Sequence, residues 1–151
     1  AREVVGLDSS QAALMLAEDA ARENGIKAQF VKADVFEELE RLAARGDTFD
    51  IVIADPPPFV KARKDVEAGA KAYRKLARLA ASVTAPGGFL FLASCSHNMP
   101  ADRFALECGI GILRGERRAS LIHQSGAGAD HPVHPLLPET AYLKALVYAL
   151  D

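Results

Sequence analysis

Short apolar runs alternate with amphipathic stretches along the chain. Glu3-Val-Val-Gly-Leu-Asp8, Lys27-Ala-Gln-Phe-Val-Lys-Ala33, Asp50-Ile-Val-Ile-Ala54 and Phe89-Leu-Phe-Leu-Ala93 are rich in β-branched or aromatic residues and end at acids or breakers. Runs of this length predict strands of a parallel sheet, and the two most apolar, 51–54 and 89–93, predict buried ones. Helical periodicity fills the gaps. Over about residues 10–24, Leu14, Leu16, Ala17, Ala20 and Ala21 supply an apolar face, with Ser9 and Ser10 as N-cap residues and Asn24-Gly25 as the stop. A helix over 36–45 turns Leu39, Leu42 and Ala43 inward and closes at Gly46. Residues 64–83 predict a long, Ala-rich, basic helix, followed by a turn at Ala85-Pro-Gly-Gly88. A helix over 101–113 is weakened by Gly109 and Gly111. Residues 118–124 and 142–149 predict a closing strand pair. The Gly/Pro/His-rich segment 125–138 between them is too long for a mere connection. The alternation predicts one α/β domain over residues 1–151, a doubly wound, mostly parallel sheet.

The polar residues that end the strands change this picture from a fold to a site. Asp8, Asp34 and Asp55 each follow a strand, and Ser94-Cys95-Ser96 follows another. Ligands of open α/β sheets bind at these carboxyl ends. After Asp55 come Pro56, Pro57 and Pro58. Proline lacks the N–H that a ladder needs, so the strand ends there, and a stiff loop presents its carbonyls and Phe59.

Charge adds a second feature. The net charge of −2 excludes a global basic field. Residues 1–60 hold 6 basic and 12 acidic side chains, whereas residues 61–78 hold 7 and 2. Lys61, Arg63, Lys64, Lys71, Arg74, Lys75 and Arg78 thus form a basic run directly after the proline loop, suited to phosphates or simply to a solvated helix face. Two distant cysteines, Cys95 and Cys108, make no disulfide framework and point to a reducing cytoplasm. No apolar run reaches transmembrane length.

Asp55-Pro-Pro-Pro-Phe59 resembles the fourth motif of class I methyltransferases acting on nucleic-acid bases. Together with Ala93-Ser-Cys-Ser96, Asp130-His-Pro-Val133 and Pro138-Glu-Thr-Ala-Tyr-Leu143, it resembles the RlmI-type 23S rRNA 5-methylcytosine methyltransferases. The resemblance implies a Rossmann-like class I methyltransferase sheet with an antiparallel C-terminal strand, S-adenosylmethionine as cofactor and RNA as partner. Full-length relatives carry an N-terminal RNA-binding PUA domain, and in the family a first strand with a glycine-rich loop precedes the Glu3 strand. That strand lies between the Glu3 and Asp50 strands. The chain is therefore expected to start inside the fold, and to close the gap, borrow a strand from a second copy in a homodimer, or expose edges.

The same resemblance implies roles. Asp8 and Ser9 hold the cofactor ribose, the other reading of Asp8 being a helix-capping or surface acid. Asp34 and Val35 lie near the adenine amino group, or Asp34 caps the following helix. Asp55 and Pro56 border the cofactor, while Asp55, Pro57 and Phe59 grip a cytosine drawn out of its stack, with Phe59 also suited to the core. Lys61, Arg63 and Lys64 are the basic residues nearest that loop. Cys95 is the expected nucleophile: a thiolate added at cytosine C6 makes C5 enamine-like, and sulfur also leaves well. Cys108, inside a helix, reads as inert core. His97 and His131 are subordinate candidates for proton traffic, and His131 with His134 lacks the ligands for a zinc site. Two other readings stay open: an amino-group methyltransferase on adenine or guanine that needs no thiol, and a nucleotide-dependent oxidoreductase or non-catalytic nucleotide-binding module on the same sheet.

Overall fold

The computed structural model describes residues 1–151. Its elements are β1 (Val5–Asp8), α1 (Gln11–Glu23), β2 (Gln29–Lys32), α2 (Val35–Arg45), β3 (Phe49–Ala54), α3 (Val66–Ser82), β4 (Thr84–Ser94), α4 (Ala101–Arg114), β5 (Ala119–Ser125) and β6 (Lys144–Leu150). Single 3-10 turns sit at Arg63–Asp65 and Pro138–Thr140.

Local chemistry accounts for most boundaries. Ser10 caps α1 by accepting from the Ala13 N–H at 3.3 Å. Asp34 caps α2 through Phe36 N at 2.9 Å and Glu37 N at 3.1 Å. Gly46 ends α2 in the left-handed region at φ +77°, which a residue without Cβ adopts freely. The basic helix begins two residues later than its periodicity suggests, because Asp65 accepts from the Ala62 N–H at 3.1 Å and closes a 3-10 turn first. The segment Ala85–Gly88 lies within β4 rather than outside it: Thr84 pairs with Phe49 and Phe89 with Ile51, so the intervening residues form an irregularity in one continuous strand.

The strands form two sheets. β1 and β2 pair in parallel. The other four run in the order β3-β4-β6-β5, with β3 parallel to β4 and β6 antiparallel to both β4 and β5. This is the expected mostly parallel α/β sheet with a reversed last strand. No ladder joins β1 to β3, so the chain does not close the gap by itself.

One face of the four-stranded sheet holds the main core. Leu90, Leu92, Leu146, Tyr148 and Leu150 pack against Tyr73, Ala77, Phe104, Cys108 and Ile112 of α3 and α4. A second cluster, Leu39, Leu42, Leu76, Leu79 and Val83, joins α2 to α3. The other face corrects the expectation that the 51–54 run is buried on both sides. Ile51 is 64% and Ile53 70% exposed, beside Phe89 at 44%. Period-2 alternation puts these side chains on the face opposite α3 and α4, where no helix covers them. In α1 only Leu14 is buried; Leu16, two residues on and so nearly opposite on the helix, is exposed.

Candidate active site at the carboxyl rim of the sheet

β3 and β4 are adjacent and parallel, so the segments leaving their carboxyl ends meet. One is the proline loop, Asp55–Phe59; the other is Ser94-Cys95-Ser96. The Cys95 Sγ lies 3.9 Å from the Pro56 carbonyl oxygen, and the thiol is half-buried. Asp55 is exposed and makes no hydrogen bond within the chain, so both its oxygens are available.

A buried polar network fastens the two segments. The Ser94 hydroxyl donates to the Tyr73 phenol oxygen at 2.7 Å. Tyr73 and Ser96 share a hydrogen bond of 2.7 Å. Ser96 Oγ accepts from the Val60 N–H at 3.1 Å, and Ser94 Oγ accepts from the Ser96 N–H at 3.2 Å. Asn98 donates to the Lys61 carbonyl at 3.1 Å. Every buried side-chain polar atom in the chain is satisfied. A satisfied buried network defines one geometry, because any displacement leaves a desolvated group unpaired. Gly69 lets α3 approach the same loop: a Cβ there would stand 2.3 Å from Val60 Cγ2 and 3.0 Å from the Phe59 carbonyl oxygen.

Sequence reasoning missed Tyr73 and Lys144. Tyr73 carried a faint signal, a phenol on the Ala70/Ala77 face of α3, since a buried Tyr needs a partner for its hydroxyl. Lys144 opens β6, where its Cα pairs with Ser94. Its ammonium donates to the Ser96 carbonyl at 2.8 Å and the Tyr142 carbonyl at 2.7 Å. Burial lowers its pKa below the ordinary lysine value, and the nearby Cys95 sulfur opposes that shift. The Lys144 ammonium is thus tied to the backbone of the residue that follows Cys95. Nothing local in the sequence pairs residue 144 with residue 96.

The remaining candidates separate. Phe59 is core: its ring lies 4.8 Å from Tyr73 and 6.0 Å from Phe36, centroid to centroid. Pro57, Lys61, Arg63 and Lys64 are exposed on or just after the loop, and Pro56 is half-buried. Cys108 is buried in α4, and burial raises its thiol pKa far above the ordinary value. His97 lines a cavity of about 660 Å³ that also touches Gln124, Ser125 and Lys144. His131 meets Tyr142 edge-on at 5.4 Å. Asp8, Ser9, Asp34 and Val35 belong to the β1–β2 unit, on a different sheet from Asp55 and Cys95. Asp8 spends one oxygen on the Ser10 N–H at 2.7 Å, and Asp34 spends one on its helix cap. The second oxygen of each has no partner in the chain.

Residues 1–126 match a family model described as a methyltransferase domain. The chain belongs to the methyltransferase-domain family. It is 37% identical over 146 residues to the ribosomal RNA large subunit methyltransferase I of Erwinia tasmaniensis, covering 95% of this chain and 37% of that protein. The protein of the same name from Aeromonas hydrophila is 36% identical over 150 residues, covering 97% of this chain and 38% of that one. The chain therefore spans little more than a third of these curated relatives. The fold also superposes on SMU.776, solved in complex with SAH, with a TM-score of 0.83 at 22% identity over 99% of this chain and 39% of that one. NSun6 from Pyrococcus horikoshii, solved with SFG, gives 0.63 at 18% identity over 97% and 41%. At such identities the likeness establishes the fold alone, the Rossmann-like sheet expected from the strand and helix order.

Proposed function

We propose that the chain is catalytic machinery of an S-adenosylmethionine-dependent methyltransferase that forms 5-methylcytosine in ribosomal RNA, in the cytoplasm, through a covalent Cys95 adduct. The observation that carries this reading is the 3.9 Å approach of the Cys95 sulfur to the Pro56 carbonyl, one residue from Asp55. The names of the relatives and the likeness to structures solved with SAH and SFG support the cofactor and the RNA substrate.

The unspent oxygens of Asp8 and Asp34 suit hydroxyl and amino donors, as a ribose and an adenine present. Asp8, Ser9, Asp34, Val35, Asp55 and Pro56 are the residues that would hold S-adenosylmethionine, which when bound supplies an electrophilic methyl group. The chain's own residues do the rest. Asp55, with Pro57 beside it, holds the Watson–Crick edge of a flipped cytosine and keeps N3 protonated. The Cys95 thiolate forms a bond to C6, and the electron pair of the C5–C6 double bond moves to C5. C5 becomes nucleophilic and takes the methyl group as the methyl–sulfur bond breaks, its electron pair staying on sulfur so that a neutral thioether leaves. Loss of the C5 proton then restores the double bond and releases the thiolate. Lys144 keeps the Ser96 carbonyl, and hence the turn carrying Cys95, in place. Lys61, Arg63 and Lys64 meet phosphates beside the loop without reading sequence.

Replacing Cys95 tests the chemistry. In Cys95→Ala, conversion of cytosine to 5-methylcytosine falls by on the order of 10³-fold or more, while cofactor affinity and thermal midpoint stay near wild type. RNA carrying 5-fluorocytosine, which cannot lose a proton from C5, accumulates as a covalent complex with wild type and not with the variant. Undiminished methylation by Cys95→Ala, with the label on an exocyclic amine, would establish the amino-group mechanism instead.

A further inference from the structure

The basic run does not act as one surface. Lys61, Arg63 and Lys64 stay at the rim. Lys71, Arg74, Lys75 and Arg78 follow at i, i+3, i+4 and i+7, one stripe of α3. Arg114, at the end of α4, joins that stripe, and the five enclose a cleft of about 310 Å³ with no apolar side chain in its lining. The helices approach closely because Gly111 faces Arg74: a Cβ there would lie 2.4 Å from the Arg74 carbonyl oxygen.

Two of the five cations are already committed. Arg74 Nε donates to Glu107 at 2.6 Å, and that buried carboxylate also accepts from Arg103 at 2.8 Å. The Lys75 ammonium lies 3.1 Å from Glu40 and 5.1 Å from the centroid of the Phe36 ring. Lys71, Arg78 and Arg114 have no acidic partner. Three uncompensated cations on adjacent helix faces repel one another, and a chain of net charge −2 does not gather them by composition. The stripe spans about 10 Å along the helix, enough for about three phosphates. With no aromatic or apolar wall, the cleft has nothing on which a base could stack, so it suits a phosphodiester backbone rather than a free nucleotide. α3 begins after the carboxyl end of β3 and runs back toward the start of β4. Its stripe therefore leads away from the reaction rim along the flank of the domain.

We propose that Lys71, Arg78 and Arg114 form a docking surface for the phosphate backbone of RNA flanking the target base. The inference rests on the RNA reading above and adds where the substrate runs. The deciding variant is K71Q/R78Q/R114Q, which touches neither the core nor the rim. Binding of a ribosomal RNA fragment is followed by fluorescence anisotropy across a salt series, and turnover is measured on the same RNA. The expected result is about 10-fold weaker binding, a logarithmic salt slope shallower by about 2 to 3, a raised KM and an unchanged kcat. The charge-keeping variant K71R/R78K/R114K restores affinity, because a phosphate is met by charge rather than by a fixed fork. Unchanged RNA affinity and salt slope in the neutral variant overturn the proposal, whether or not the enzyme turns over. Equal loss in the charge-keeping variant also overturns it, since packing rather than charge would then be at work. Methylation that is absent altogether, with the salt slope still altered, defeats the catalytic reading and leaves the docking surface standing.

Discussion

The rim formed by β3, β4 and α3 and the unit formed by β1, α1 and β2 both end in acids, yet they are held very differently. At the rim, Tyr73, Ser94, Ser96 and Val60 are all buried and tied to one another by hydrogen bonds. In the β1–β2 unit the strands have four residues each, α1 buries only Leu14, and the acids are held by local bonds alone. The lesson is a division of labour. Groups that would make and break bonds sit where a few tenths of an ångström are fixed by desolvated partners. Of the groups that would hold a cofactor, Asp55 and Pro56 sit at this rim, whereas Asp8, Ser9, Asp34 and Val35 sit on the lightly packed layer.

The sharpest way to break this comparison is to cut into both cores. Leu92→Ala, beneath the rim, costs about 2–5 kcal/mol and lowers the global thermal midpoint. Leu14→Ala costs less than that and loosens chiefly β1, α1 and β2, read by hydrogen exchange in native conditions. Equal global losses would mean that the two regions unfold as one.

Removing a single oxygen at the rim comes next. Tyr73→Phe takes one hydrogen-bond partner from each of the buried Ser94 and Ser96 hydroxyls, costs about 1–3 kcal/mol, and lowers methyl transfer by displacing the turn that carries Cys95. A variant with wild-type stability and activity would show that the network is not what holds the rim.

Asp34→Ala, in the other region, removes the α2 cap and costs about 1 kcal/mol. Cofactor affinity, measured by calorimetry, falls by more than that cap alone explains if the second oxygen also meets the ligand. Asp34→Ser keeps the cap and separates the two effects.

The last effect is in pH. Burial raises the Cys108 thiol and the Tyr148 phenol above their ordinary values, so the folded chain keeps protons that the unfolded chain would release. Stability must then fall as pH rises past the ordinary thiol value of about 8.5, by at most about 1.4 kcal/mol per unit for each group. Cys108 lies in α4 and Tyr148 in β6, and residues 1–48 contain neither cysteine nor tyrosine, so denaturant midpoints should move with pH in the four-stranded sheet and its helices and not in the β1–β2 unit. In native protein Cys95 alone reacts with a thiol reagent, and Cys108 reacts only on unfolding.

Local chemistry made much of this legible in one dimension. Asp34, Ser10 and Gly46 announce helix ends because a cap acts over two or three residues. The prolines after Asp55 end a strand because the ladder needs an N–H. Those effects reach no further than a turn, and so the order of strands and helices, and the acids at their ends, could be read from neighbouring residues. What lies between segments could not. That Cys95 faces Pro56 depends on β3 and β4 being adjacent and in register. That Tyr73 bridges two serines depends on the crossing of α3 over β4, and that Arg114 joins Lys71 and Arg78 depends on a glycine-wide contact between helices. Ile51 and Ile53 read as core by composition, yet the face they occupy is decided by which elements pack above it. Contacts across many tens of residues are chosen by burial of the whole sheet, and only the folded chain contains that information.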